Sequence, residues 1–134
     1  MSDKEKWIRV VSNLNKLTQD RSLVWASEPP TEGLRERGVE NTYTARYGSW
    51  ILRLYSYNVE VEATTSGLVT ALVYAASSRT KLITVRRTRL EIVDTFQSPL
   101  WGFPEVSGLE DLLRSAQYQV ADVDGFVAAV LRGT

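Results

Sequence analysis

WILRLYSYNVEVE, residues 50–62, decides the fold. Its β-branched and aromatic content and its alternation of apolar with polar side chains identify a strand. The alternation changes phase midway. Trp50, Leu52 and Leu54 occupy even positions, whereas Tyr55, Tyr57, Val59 and Val61 occupy odd ones, with Glu60 and Glu62 opposite. A period of two cannot absorb that change without a bulge, a break or a sheet covered on both faces. Lys81 to Phe96 behaves alike: Ile83 and Val85 are odd, Leu90 and Ile92 are even, and Arg86, Arg87 and Arg89 lie between. The reading adopted is that both long strands bend or bulge near their middles, so that the sheet curls around the helices.

Outward from this pair, Glu40 to Tyr47 alternates, and Gly48-Ser49 supplies a tight turn into Trp50. Ser22 to Ala26 is a short strand ended by Glu28-Pro29-Pro30, because proline cannot donate to a ladder. Leu34 to Gly38 is charged and reads as loop, and Ser98 to Pro104 reads as irregular but strongly apolar. Between the long strands, Thr64 to Gly67 and Ser77 to Thr80 are turns; Leu68 to Ala75 is a strand, with a short helix as the rival reading.

The ends of the chain are helical. Ser2 and Glu5 have capping-box spacing ahead of Trp7, Val10, Val11, Leu14 and Leu17, which predicts an amphipathic helix from Asp3 to Thr18. Ser107 and Glu110 repeat that spacing before Leu109, Leu112, Leu113 and Ala116. Asp122 or Asp124 caps a last helix carrying Phe126, Val127, Val130 and Leu131, closed by Gly133. The fold class is therefore α+β in one domain, residues 1–134: an N-terminal helix, a curved antiparallel sheet of four to five strands, and two C-terminal helices packed on one sheet face. That order occurs in many unrelated small bacterial proteins, so a bacterial source is expected and no function transfers with it.

Composition narrows the chemistry. The chain has neither cysteine nor histidine. Disulfides, thiolate catalysis, His- or Cys-based zinc, copper and haem sites and the imidazole triads are excluded. No Walker, Rossmann or G-x-S-x-G motif is present. No cofactor and no metal are expected. Sixteen Lys plus Arg balance sixteen Asp plus Glu, which disfavours a nucleic-acid partner because affinity for phosphate rests on positive charge. No stretch approaches the roughly 20 apolar residues of a membrane span, and the charged N-terminus lacks a secretory core, so a cytoplasmic location is expected.

Three groups remain as candidate sites. Leu100, Trp101 and Phe103 sit in an expected loop, where aromatic side chains act as binding anchors; the alternative is that they close one end of the core. Arg86, Arg87 and Arg89, with Arg79 and Lys81, form the densest basic stretch. With Arg53 and Tyr55 they could contact a ligand or anion, or simply pair with Glu60, Glu62 or Glu91. Asp122-Val123-Asp124-Gly125 opens like a calcium loop, but the following FVAAV offers no ligand, so capping is the better reading. A charged first turn explains Glu105, Glu110 and Asp111 without catalysis.

The expected function is a non-catalytic protein-interaction module of regulatory, adaptor, inhibitor or immunity type. Its partner would be another protein or a second copy, forming a homodimer. The alternatives are a small-ligand domain with a pocket between sheet and helix, and, more weakly, a nucleic-acid contact through Arg79 to Arg89.

Overall fold

The computed structural model describes residues 2–62 and 82–133 of the chain. Leu68 to Ala75, its flanking turns, Arg79 and Lys81 lie outside the described residues.

The N-terminal helix α1, Asp3–Gln19, begins on the anticipated capping box, with Ser2 Oγ accepting from the Glu5 amide and Glu5 reaching back to the Ser2 amide. Then follow β1 (Trp25–Glu28), a short helix α2 (Glu32–Glu36), β2 (Thr42–Tyr47), β3 (Trp50–Glu62), β4 (Leu82–Val93), β5 (Pro99–Gly102), α3 (Leu109–Val120) and α4 (Val123–Leu131). The five strands form one open sheet in the order β1-β2-β3-β4-β5, each antiparallel to its neighbour. The chain is α+β, as its patterning implies. No described helix is long and apolar enough to cross a membrane.

The phase change in the long strands has a different cause from the bulge expected. β3 and β4 pair without interruption from Ile51↔Val93 to Glu62↔Leu82. Instead, both faces of the sheet are covered, at different heights. Leu52, Leu54 and Leu90 face α1 and α3 in a core that includes Val11, Leu14, Trp25, Leu109, Leu112 and Ala116. Further along, on the opposite face, Tyr55, Tyr57 and Val59 pack with Leu34 of α2 and Val39. The segment read as loop, Leu34 to Gly38, thus overlaps a helical turn that seals this second core.

Two further boundaries shift. The irregular segment contains β5, which pairs with β4 across a register irregularity at Ile92/Val93. A four-residue edge strand opening on proline carries almost no periodic signal. Helix α3 starts on Gly108 rather than Ser107, because the N-cap adopts φ 101°, open to glycine, where a Cβ would lie 3.4 Å from Val11.

The helix layer is ordered by its contacts. α1 crosses the sheet from β5, where Trp7 meets Trp101, to β1, where Trp25 Nε1 donates to Thr18 Oγ1 at 2.9 Å. α3 packs beside it, against β4 and β1. α4 adjoins α3 but buries none of its residues.

Candidate functional site

On the helix-bearing face, α1 leaves part of the sheet uncovered. Between Val10, Leu14 and Leu17 of α1 and Tyr47, Trp50 and Leu52 of the β2–β3 hairpin runs an open apolar groove of about 310 Å³. Ile92 and Phe103 form its floor toward the β5 edge, and among its lining residues Asn13 adds a side-chain amide to the polar tips of Tyr47 and Trp50. The hairpin turn fixes its rim. Gly48 takes φ 62°, so two residues join Tyr47 to its partner Trp50 and both rings stand on the helix side. Tyr47 and Trp50 remain 51% and 54% exposed, an unusual state for side chains with so much apolar area.

The groove adjoins an aromatic cluster. Trp101 lies 4.9 Å from Trp7 and 5.1 Å from Phe103, measured between ring centroids, and Trp7 meets Phe103 edge-on at 5.4 Å. Phe103 therefore belongs to both features, half-buried between them. Trp101 keeps an exposed edge, and Leu100 projects from the edge strand. The three candidate residues at 100, 101 and 103 thus divide: two join an intramolecular cluster at the groove's end, and one is surface.

The basic candidates lie elsewhere and are engaged within the chain. Arg53 is buried on the opposite face, with Nε and Nη2 donating to Glu91 Oε1 at 2.9 and 2.7 Å and Nη1 donating to the Gln97 carbonyl at 2.9 Å. Glu91, equally buried, also accepts from Arg89 Nε at 3.2 Å. Tyr55 hydrogen-bonds to the same carboxylate; burial first, and the Glu91 charge second, push its hydroxyl up to about 12. Arg86 donates to Ser56, Asn58 and the Gly38 carbonyl, tying β4 and β3 to the α2–β2 connection. Arg87 pairs with Glu105 at 3.9 Å in an exposed setting. Arg53, Tyr55 and Arg89 come together; Arg86 and Arg87 do not join them.

Two polar features carried no signal in the sequence. Gln119 Nε2 donates to the Thr18 and Leu23 carbonyls, and its Oε1 accepts from the Trp25 amide at 2.7 Å. This side chain takes the backbone groups that a strand beginning at Ser22 would have used, and β1 starts at Trp25 instead. Beside it a polar cleft of about 560 Å³ opens between α1, α3 and α4, lined by Arg21, Arg114, Tyr118 and Asp124 among others. Arg21 pairs with Asp122 and Asp124, and Tyr118 donates to Asp124 at 2.7 Å, so its charges are largely matched internally. Asp122 caps α4 by accepting from the Gly125 amide, as its spacing implies. Among the described residues, no group of three or more acidic side chains gathers as a metal site.

The last feature is α4 itself. Gly125 and Ala129 are its more enclosed positions along with Val123, while Phe126, Val127, Val130 and Leu131 stand outward, between 43% and 81% exposed. At 100° per residue those four occupy one side of the helix. The helix thus presents its large apolar side chains away from the body of the domain.

Comparison with protein-family profiles, with curated proteins and with solved structures gives no match for this chain.

Proposed function

We propose that this chain is a non-catalytic protein-interaction module, of regulatory, adaptor, inhibitor or immunity type, which receives an apolar helix of a partner in the groove beside α1. The observation that carries this reading is the pair of half-exposed rings, Tyr47 and Trp50, standing over an open apolar cavity. Large aromatic side chains at the rim of an apolar depression are the usual anchors of protein recognition. A groove bounded by one helix and a sheet face suits the helix-in-groove mode, in which side chains at i, i+3 and i+4 fill successive depressions. The internal pairing of Arg53, Arg86, Arg87 and Arg89 reduces what these four described arginines offer a phosphate backbone.

A small-ligand reading attaches to the same groove. Its volume falls at the lower end of the roughly 300–1,000 Å³ typical of ligand sites. Its polar groups are confined to Asn13 and to the Tyr47 hydroxyl and Trp50 Nε1 at the rim, and the aliphatic and aromatic remainder suits an apolar segment of protein better.

The test is site-specific photocrosslinking in the source cells, with a benzoylphenylalanine replacing Trp50 and, as control, Arg46 on the other face of the hairpin. A discrete protein adduct from position 50 and none from position 46 is the expected result. No adduct from position 50, or equal adducts from both, would refute the groove as an interaction site.

A further inference from the structure

We infer that the occupant of the groove is α4 of a second copy of this chain, so that the protein forms a twofold dimer by reciprocal exchange of its C-terminal helices; this rests on the interaction reading above and names its partner. Two exposed surfaces on one chain match in chemistry. The groove is apolar, lined by Val10, Leu14, Leu17, Leu52 and Ile92, with aromatic rims. The helix has no charged residue between Asp124 and Arg132 and turns Phe126, Val127, Val130 and Leu131 to solvent.

The outward face has the spacing a groove reads, since Phe126 and Val130 are one turn apart, as are Val127 and Leu131. A nine-residue helix with no buried residue also has little reason to persist alone, because isolated helices shorter than about 12–15 residues are marginal in water. Docking adds the apolar burial that its polar ties to Arg21 and Tyr118 do not supply.

Size favours exchange between copies. Each copy contributes four large α4 side chains and two rim rings, all two-fifths or more exposed, and a twofold axis doubles the set. The total reaches the order of the roughly 1,200–2,000 Å² of a stable interface, whereas a single insertion would fall short of it.

The test uses the full chain. Sedimentation equilibrium should show a dimer, and Phe126→Ser combined with Val130→Ser should raise its dissociation constant about 100-fold or more, as should Trp50→Ser on the groove side. Neither set touches the core, so circular dichroism should report an unchanged fold. Because the chain lacks cysteine, Val130→Cys and Tyr47→Cys can be placed in one chain and oxidised. Disulfide-linked species of twice the chain mass are expected.

A monomer at every concentration overturns the inference. So does a dimer insensitive to both sets of substitutions, or a disulfide closed within one chain. A foreign protein crosslinked at position 50, with the purified chain monomeric, refutes the exchange and leaves the interaction reading standing.

Discussion

Replacing Glu91 by glutamine asks whether the buried arginines are structural. Glu91 receives both Nε and Nη2 of Arg53, Nε of Arg89 and the Tyr55 hydroxyl, and neither Glu91 nor Arg53 is more than 3% exposed. Removing its charge leaves the Arg53 guanidinium buried with the Gln97 carbonyl as its remaining strong acceptor. Breaking a buried pair from one side costs about 3–5 kcal/mol. A chain of 134 residues has roughly 7–20 kcal/mol in all, at about 0.05–0.15 kcal/mol per residue. With a urea slope near 2 kcal/mol/M, the midpoint of tryptophan-monitored unfolding should fall by about 1.5–2.5 M.

Arg53→Met combined with Glu91→Leu should recover most of that loss, because it removes both charges and keeps the volume. A Glu91→Gln midpoint within about 0.5 M of wild type would refute the reasoning, as would a double variant no better than the single one. The first result would free Arg53 for the ligand contact that the sequence alone allowed.

Tyr55 predicts an alkaline limb of stability. Its folded hydroxyl holds its proton up to about 12 against the usual 10.0, so the contribution is whole below pH 10 and drains away as pH rises from 10 to 12. The full loss is ~2–3 kcal/mol, and Tyr55→Phe should flatten that part of the stability profile measured by urea midpoints. Gln119→Leu removes three hydrogen bonds to the chain around Thr18, Leu23 and Trp25. At about 1 kcal/mol each, the thermal midpoint should fall by several degrees, with backbone amides around Trp25 losing exchange protection.

Much of the architecture was written in the alternation of apolar side chains, and the places where it was not are instructive. The hairpin turn at Gly48, the caps at Ser2 and Asp122 and the two long strands follow from local chemistry. The phase change in β3 and β4 was visible, but its cause was not. Whether a strand bulges or is covered on both faces depends on where α2 lands, and within α2 the buried contact is made by Leu34, an apolar residue among charges, with Val39 just beyond. Gln119 was invisible because a polar side chain that satisfies distant backbone has no periodic signature.

The candidate site was half legible. Trp101 and Phe103 stand out in the sequence by their loop-like context, whereas Tyr47 and Trp50 follow ordinary strand alternation; they border an opening because α1 crosses the sheet further in. The apolar pattern of α4 was plain, and it was expected to be buried. Its exposure follows from Gly125 and Ala129 forming the enclosed side, an arrangement that periodicity alone cannot orient.

Amide hydrogen exchange across residues 123–131, followed by mass spectrometry at low and high protein concentration, tests the central claim most directly. Docking of α4 into the groove predicts protection that increases at least about tenfold from low to high concentration and is abolished by Trp50→Ser. Exchange at the rate of an unprotected peptide at every concentration would contradict the account.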